Sequence, residues 1–325
     1  MTKAMRIYET GAPEVMKWED IDLPAPGEGQ IRVRQTAVGV NFIDAYFRDG
    51  TYSAPGFPFT PGKEGAGVVD AVGSGVTDLK EGDRVAYAAA DGSYAEELII
   101  AAANVVPIPD GVSDETAAGM MLKGMTAEYL LNRTFKVGKD TTLLFHAAAG
   151  GVGLIAGQWA KHLGATVIGT AGSPEKCELA EANGYDHVIN YREENFAERV
   201  ADLTDGKKCD VVYDSVGKDT FDKSLDCVKR LGTIVTFGQS SGVVPPISTG
   251  ILNQKGSLFL TRPSLFNYTA TRDELLDCAN HLFDVVKSGA VKIEIGQTYP
   301  LSEAVQAHRD LHARKTTGTT VLTIG

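Results

Sequence analysis

The sequence predicts an α/β protein with a doubly wound parallel sheet and a second, β-rich unit. Three observations carry this expectation. Strands and helices alternate through the middle of the chain, a glycine-rich bend follows one of those strands, and the first third is a series of short apolar strands between turn signals.

In the first third, Ile31-Arg32-Val33-Arg34 alternates as a half-buried strand does. Gly65-Ala66-Gly67-Val68-Val69 and Asp83-Arg84-Val85-Ala86-Tyr87 read as further strands, with turns at Gly73-Ser74-Gly75 and Asp91-Gly92-Ser93. This pattern suggests a compact, barrel-like unit. The middle then changes period. Strands are expected at 143–145, 166–169, 187–191, 210–213 and 233–237, and helices at 152–162, 174–182, 195–203 and 220–229. That alternation implies a parallel sheet covered on both faces, with 257–261 as a last strand at its edge. The tail adds helices at 272–288 and 303–313 and a closing strand at 319–324.

With 325 residues the chain is long enough for two domains. Its net charge of −11 disfavours binding to a phosphate backbone, which depends on Lys and Arg. Cys177, Cys209, Cys227 and Cys278 form no CxxC pair, a usage that suits a reducing compartment. Residues 1–20 carry charges throughout and lack the apolar core of a secretion signal. No apolar run approaches the ~20 residues that a membrane span needs. A cytoplasmic protein without membrane contact is therefore expected.

The chemical signal is the run Phe145-His146-Ala147-Ala148-Ala149-Gly150-Gly151-Val152-Gly153, which leaves a strand and opens a helix. It fits A-x-G-x-x-G, with Ala148 in place of the usual first glycine. Gly150 lets the backbone approach a pyrophosphate, and Gly153 lets the helix pack closely on the sheet. The N–H groups at the helix start face the phosphates. Within a strand–turn–helix–strand unit this is a dinucleotide site.

NAD sites place an acid ~20 residues further on, against the ribose diol. Here residues 168–174 contain none; Lys176 follows within a turn, and Tyr191-Arg192 end the third strand. A small loop bearing a hydroxyl and a nearby cation suits a 2′-phosphate, so NADPH is the expected cofactor. Two charge-assisted hydrogen bonds would favour it by roughly a hundredfold or more. The plainer reading makes Lys176 a solvated helix residue.

Several segments together resemble the medium-chain dehydrogenase/reductase superfamily, and within it the zeta-crystallin-type quinone oxidoreductases. They are Ala37-Val38-Gly39-Val40-Asn41-Phe42-Ile43-Asp44, Val72-Gly73-Ser74-Gly75-Val76, Gly82-Asp83-Arg84-Val85, the glycine bend itself, Tyr213-Asp214-Ser215-Val216-Gly217, Ile251-Leu252-Asn253-Gln254-Lys255-Gly256-Ser257 and Thr261-Arg262-Pro263-Ser264-Leu265. The resemblance runs nearly end to end. It implies a GroES-like catalytic domain from residues 1–124 and 266–325, and a Rossmann NADPH-binding domain over 125–265. It also implies a homodimer in which the Rossmann edge strands pair.

By the same resemblance, Asn41, Phe42, Ile43, Asp44, Ala45, Tyr46 and Tyr129 approach the nicotinamide half of the cofactor. Gly150, Gly151 and Val152 meet the pyrophosphate, while Gly172, Ser173, Lys176 and Tyr191 surround the adenosine phosphate. Ser215, Phe237, Gly238, Gln239, Ser240, Pro263, Ser264 and Leu265 line the remaining cleft. Arg314 reaches in from the last segment, unless it is a plain surface arginine.

Zinc enzymes of the superfamily hold the catalytic metal with a cysteine and a histidine of the first domain. Those positions are Asn41 and Lys63 here, and an ammonium does not ligate. All four thiols lie beyond residue 176, so the four-cysteine structural lobe is missing too. His308 and His312, four apart on an expected helix, are read as a packed or solvated pair rather than as metal ligands.

Without a Lewis acid the acceptor must itself be ready for hydride, as a quinone is. The expected activity is NADPH:quinone reduction. The alternatives are a 2-alkenal or enoyl reductase and, from another class, an RNA-binding or crystallin-like structural role. Catalytic candidates are Asn41, Tyr46 and Tyr52; the two tyrosines read equally as proton donors or as aromatic walls. The physiological acceptor, the proton donor and the choice between hydride and single-electron transfer stay open.

Overall fold

In the computed structural model, which describes residues 1–324, the chain begins with a hairpin of β1 (Thr2–Ile7) and β2 (Met16–Ile21). β3 (Gln30–Val40), α1 (Phe42–Asp49), β4 (Glu64–Val72), β5 (Arg84–Ala88), β6 (Glu97–Ala101), β7 (Val105–Pro107) and α2 (Asp114–Tyr129) follow. Next come β8 (Thr142–Phe145), α3 (Gly151–His162), β9 (Thr166–Ala171), α4 (Pro174–Glu181), β10 (His187–Asn190), α5 (Phe196–Leu203) and β11 (Cys209–Asp214). α6 (Phe221–Ser224), β12 (Val228–Thr236), α7 (Gly250–Gln254), β13 (Phe259–Thr261) and α8 (Leu265–Tyr268) complete the middle. The tail is α9 (Arg272–Lys287), β14 (Ile295–Pro300), α10 (Ala304–His312) and β15 (Thr319–Thr323).

Two units separate. The first takes residues 1–125, 269–283 and those from 293 onward; the second takes 126–268 and 284–292. Residues 284–292 join the second unit, where Gln158 both donates to the Lys292 carbonyl at 3.0 Å and accepts its N–H at 2.8 Å.

In the first unit, among the described residues, the strands run β14-β15-β3-β4-β5-β7, with β6 also paired to β3. The alternation seen at 31–34 extends through an eleven-residue strand whose buried positions include Ile31, Val33 and Val38. Each such buried side chain stabilises by roughly 1.5–3 kcal/mol. One core gathers Ile31, Val33, Val69, Val85 and Tyr87, and a second gathers Met5, Ile7, Val38, Val40, Tyr94, Leu311 and Leu322.

In the second unit, among the described residues, a six-stranded sheet has the order β10-β9-β8-β11-β12-β13, and every pairing in it is parallel. This is the doubly wound Rossmann arrangement, whose strand order reverses between β8 and β11. Leu144, Ile168, Ile189, Phe196, Val212 and Ile234 form its core.

Three local expectations change. The helix expected at 220–229 stops at Ser224, because Cys227 turns into the sheet and its carbonyl accepts the Cys209 N–H at 2.9 Å. The strand expected at 257–261 begins only at Phe259, since Ser257 is left-handed with φ 56°. Four helices, α1, α2, α7 and α8, lie where sequence periodicity marked none. Among the described residues no helix is long and apolar enough to cross a membrane.

Candidate active site

Parallel strands put all their carboxyl ends on one edge of a sheet, and ligands of such sheets bind there, at the point where strand order reverses. Part of the residue set expected from the sequence lies in the loops at that edge. Gly150, Gly151 and Val152 come after β8, Gly172 and Ser173 after β9, and Tyr191 after β10. Ser215 follows β11, Phe237 to Ser240 follow β12, and Pro263, Ser264 and Leu265 follow β13. Six loops from distant parts of the chain therefore meet at one edge of the second unit. Tyr129 lies elsewhere, ending α2 with its ring stacked on Tyr268 at 4.6 Å.

The bend after β8 is tightly made. A Cβ on Gly153 would stand 2.4 Å from the Ala147 carbonyl oxygen and 2.5 Å from that of Ala148, so only glycine lets α3 start against the bend. The Tyr185 hydroxyl donates to the Gly153 carbonyl at 2.7 Å. Beneath the bend His146 is buried, with Nδ1 2.9 Å from the Thr170 hydroxyl and Nε2 2.9 Å from Ser224 Oγ. It ties the ends of β8 and β9 to α6, and burial pushes its pKa down, keeping it neutral. Asp214, buried, accepts the N–H groups of Val216 at 2.8 Å and Gly217 at 3.0 Å and so shapes the turn that carries Ser215.

At the second loop Ser173 caps α4, its Oγ accepting the Lys176 N–H at 3.4 Å. The Tyr191 hydroxyl stands 2.5 Å from where a Gly172 Cβ would lie. Glu175 is exposed on the same turn, and the Ser173 hydroxyl holds its carboxyl below the usual range. An anion here opposes a 2′-phosphate while Lys176 favours one. Lys176→Ala is expected to lower the NADPH-over-NADH preference about tenfold, and Glu175→Gln to raise it by roughly threefold. Cofactor titrations by fluorescence check both; an unchanged preference in Lys176→Ala removes that residue from the site.

The first unit carries a different kind of site, a dense buried polar cluster. Asn41 precedes α1, its N–H donating to Asp44 Oδ2 at 2.8 Å. Its side-chain amide donates to Glu64 Oε1 at 2.8 Å. Glu64, fully buried at the start of β4, also accepts the Leu122 N–H at 2.7 Å and pairs with the Lys123 ammonium. A Cβ at Gly39 would lie 2.1 Å from Glu64 Oε1, so that glycine makes room for the carboxylate. Lys63 pairs with Asp91 and stands 4.4 Å above the Phe47 ring. Tyr46 and Tyr52 meet edge to face at 5.3 Å, Phe42 remains exposed and Ile43 is half-buried. Ala45 is buried outright. Arg314 is exposed in a left-handed turn, φ 56°, after α10.

These donors do not fit a zinc ion. Asn41 and Lys63 stand where a cysteine and a histidine would be needed, and Glu64 is committed to Lys123. Among the described residues no group of three or more His, Cys, Asp or Glu is arranged to hold a metal. Sequence reading passed over Glu64, Lys123 and Tyr94, and took His308 only as half of a packed or solvated pair. Only Glu64 left a sign, as the carboxylate following Lys63.

His308 and His312 turn towards the buried Arg48, with His308 Nδ1 3.0 Å from Nη1 and His312 Nε2 3.3 Å from Nη2. Burial, reinforced by Arg48 and His312, pushes the His308 pKa down to about 3. A lowered folded value gives stability that is complete above the unfolded value of ~6.5 and is lost as pH falls towards the folded one. The stability difference between wild type and His308→Gln is therefore expected to narrow as pH drops from about 6.5 to 4, by about 1.4 kcal/mol per unit. Denaturant unfolding across that window measures it; a constant difference contradicts the assignment.

Comparison with known proteins matches the alcohol dehydrogenase GroES-like domain to residues 27–110 and the zinc-binding dehydrogenase family to residues 151–279. A quinone oxidoreductase of Pseudomonas aeruginosa is 52% identical to the chain, covering 99% of each. A 2-haloacrylate reductase of a Burkholderia species is 45% identical, again covering 99% of each. The crystal structure of Escherichia coli quinone oxidoreductase complexed with NADPH is 48% identical and covers 99% of each chain, with a TM-score of 0.97.

Proposed function

Because the chain belongs to the quinone oxidoreductase family of the medium-chain dehydrogenase/reductase superfamily, we propose that it is an NADPH-dependent reductase of small quinones that uses no metal. The observation that carries this reading is the glycine bend after β8, joined at one sheet edge by a second loop that has a hydroxyl and a lysine but no ribose-binding acid. NADPH, when bound, supplies the hydride.

In this proposal Gly150, Gly151 and Val152 present N–H groups to the pyrophosphate, while Gly172, Ser173, Lys176 and Tyr191 hold the 2′-phosphate. Asn41 to Tyr46 and Tyr129 orient the nicotinamide half. Ser215, Phe237 to Ser240 and Pro263 to Leu265 border the remaining cleft at the sheet edge of the second unit. Asn41, Tyr46 and Tyr52 stand as the groups that place the acceptor oxygen, since an amide and a tyrosine hydroxyl each carry a hydrogen to donate. Residues 1–124 with 266–325 act as the catalytic domain and 125–265 as the cofactor domain, except that 284–292 pack with the second unit.

The 2-haloacrylate reductase among the relatives favours a second reading, reduction of an activated alkene. A panel of quinones and enones, followed by loss of NADPH fluorescence, separates the two. Turnover with enones alone would replace the quinone assignment, and no uptake of NADPH at ordinary salt would end it.

We also propose a homodimer through β13. That strand lies at the sheet edge and exposes Phe259 (63%) and Leu260 (38%), an aggregation hazard that a partner strand would cover. The acidic balance and isolated thiols support a cytoplasmic enzyme that binds no nucleic acid.

A further inference from the structure

A file of buried polar groups runs behind Asn41. Asp44 is 1% exposed; its Oδ2 accepts the Asn41 N–H at 2.8 Å and the Tyr94 hydroxyl at 3.1 Å. Oδ1 is buried with no hydrogen-bond partner among the described residues. The Tyr94 oxygen lies 3.0 Å from His308 Nε2, and His308 Nδ1 lies 3.0 Å from Arg48 Nη1. A guanidinium only donates, so His308 Nδ1 accepts and Nε2 carries the hydrogen. Nε2–H then donates to Tyr94, whose own hydrogen is left to point at Asp44. Every proton in the file is directed towards the carboxylate. On its far side Asn41 is also gripped through its side-chain amide by Glu64.

We infer that Asp44 is a positioning residue for the proposed reduction: its ionised carboxylate, oriented by Tyr94, His308 and Arg48, holds Asn41 and the start of α1 in the pose that turnover requires. The inference rests on the proposed function, which assigns Asn41 to the nicotinamide half. A charge-assisted bond to the Asn41 N–H is about twice as strong as a neutral one, so protonation of Asp44 loosens Asn41. The proton enters at Oδ1, since Oδ2 already accepts two hydrogen bonds.

The groups around this carboxyl come from every neighbouring element. Asn41 and Arg48 belong to the α1 segment, Glu64 to β4, Tyr87 to β5, Tyr94 to the loop before β6, Lys123 to α2, and His308 with His312 to α10. Burial, followed by Glu64, outweighs the bonds from Asn41 and Tyr94 and the charge of Lys123, and raises the carboxyl to about 7. Its charge thus changes near neutrality.

The test measures kcat for quinone reduction at saturating NADPH and quinone from about pH 5.5 to 9, in wild type, Asp44→Asn and Tyr94→Phe. Wild-type kcat is expected to rise with pH around a midpoint near 7. Asp44→Asn is expected to lose that inflection and to fall about tenfold in kcat at high pH. Tyr94→Phe keeps the ring but removes a donor to the charged form. Its midpoint is expected to move up by about one unit, with the quinone KM within roughly twofold of wild type. If Asp44→Asn does not fold, the Tyr94→Phe midpoint decides. An inflection that persists in Asp44→Asn, or a midpoint unmoved in Tyr94→Phe, overturns the inference and leaves the quinone reductase standing. Absence of wild-type turnover at every pH overturns both.

Discussion

Lys123→Met is expected to destabilise the first unit by about 3–5 kcal/mol, the range for removing one partner of a buried ion pair. Glu64 is fully buried and Lys123 nearly so, and the ammonium is the one positive charge on that carboxylate among its identified hydrogen-bond partners. The Asn41 amide and the Leu122 N–H would remain as neutral donors to an uncompensated anion. Neutralising both partners tells a different story. In Lys123→Met with Glu64→Gln no charge is left buried, and stability is expected to return to within about 2 kcal/mol of wild type. Denaturant unfolding of the two singles and the double measures the coupling. A single substitution costing under about 1 kcal/mol would mean the pair is solvated, against its burial.

Gly153→Ala is expected to weaken NADPH binding by at least about tenfold and to cost about 1–3 kcal/mol of stability. The added Cβ would meet carbonyl oxygens at 2.4 and 2.5 Å, contacts made by backbone that has no rotamer with which to retreat. α3 must therefore lift from the bend, taking its N–H groups out of line with the pyrophosphate. Gly150→Ala provides the contrast. Its φ of −81° suits any residue, and a Cβ there meets only the Ala147 oxygen, at 3.2 Å. Stability is expected to stay within about 0.5 kcal/mol of wild type while NADPH affinity still falls, because the lost space is the ligand's. Unfolding curves and NADPH fluorescence titrations on both variants separate packing from binding. Equal affinity in Gly150→Ala and wild type would place the pyrophosphate elsewhere.

The second unit was far more legible in the sequence than the first. Its strands are apolar and parallel, its helices follow at regular spacing, and the bend from Phe145 to Gly153 carries its own chemistry within a few residues. Even the absence of an acid from residues 168–174 is a local fact. The errors there arose where two local preferences competed. Leu225, Cys227 and Val228 continue a helical spacing, but the sheet captures Cys227 through Cys209. The first unit misled more. The face α1 buries is Asp44, Ala45 and Arg48, two of them charged residues that read as solvated in the sequence, and the bond from the Asn41 N–H to Asp44 settles its start.

The sequence by itself determined the alternation of strands and helices in the second unit, the dinucleotide bend and the residue types at Asn41 and Lys63. Each of these rests on residue types at short spacing. Tertiary structure alone decided which charges meet in the interior. Lys123 finds Glu64 across 59 positions, and Arg48 finds His308 across 260. A charge taken out of water must be met by whatever partner the fold brings to it, and that partner is chosen by chain topology rather than by neighbours in sequence.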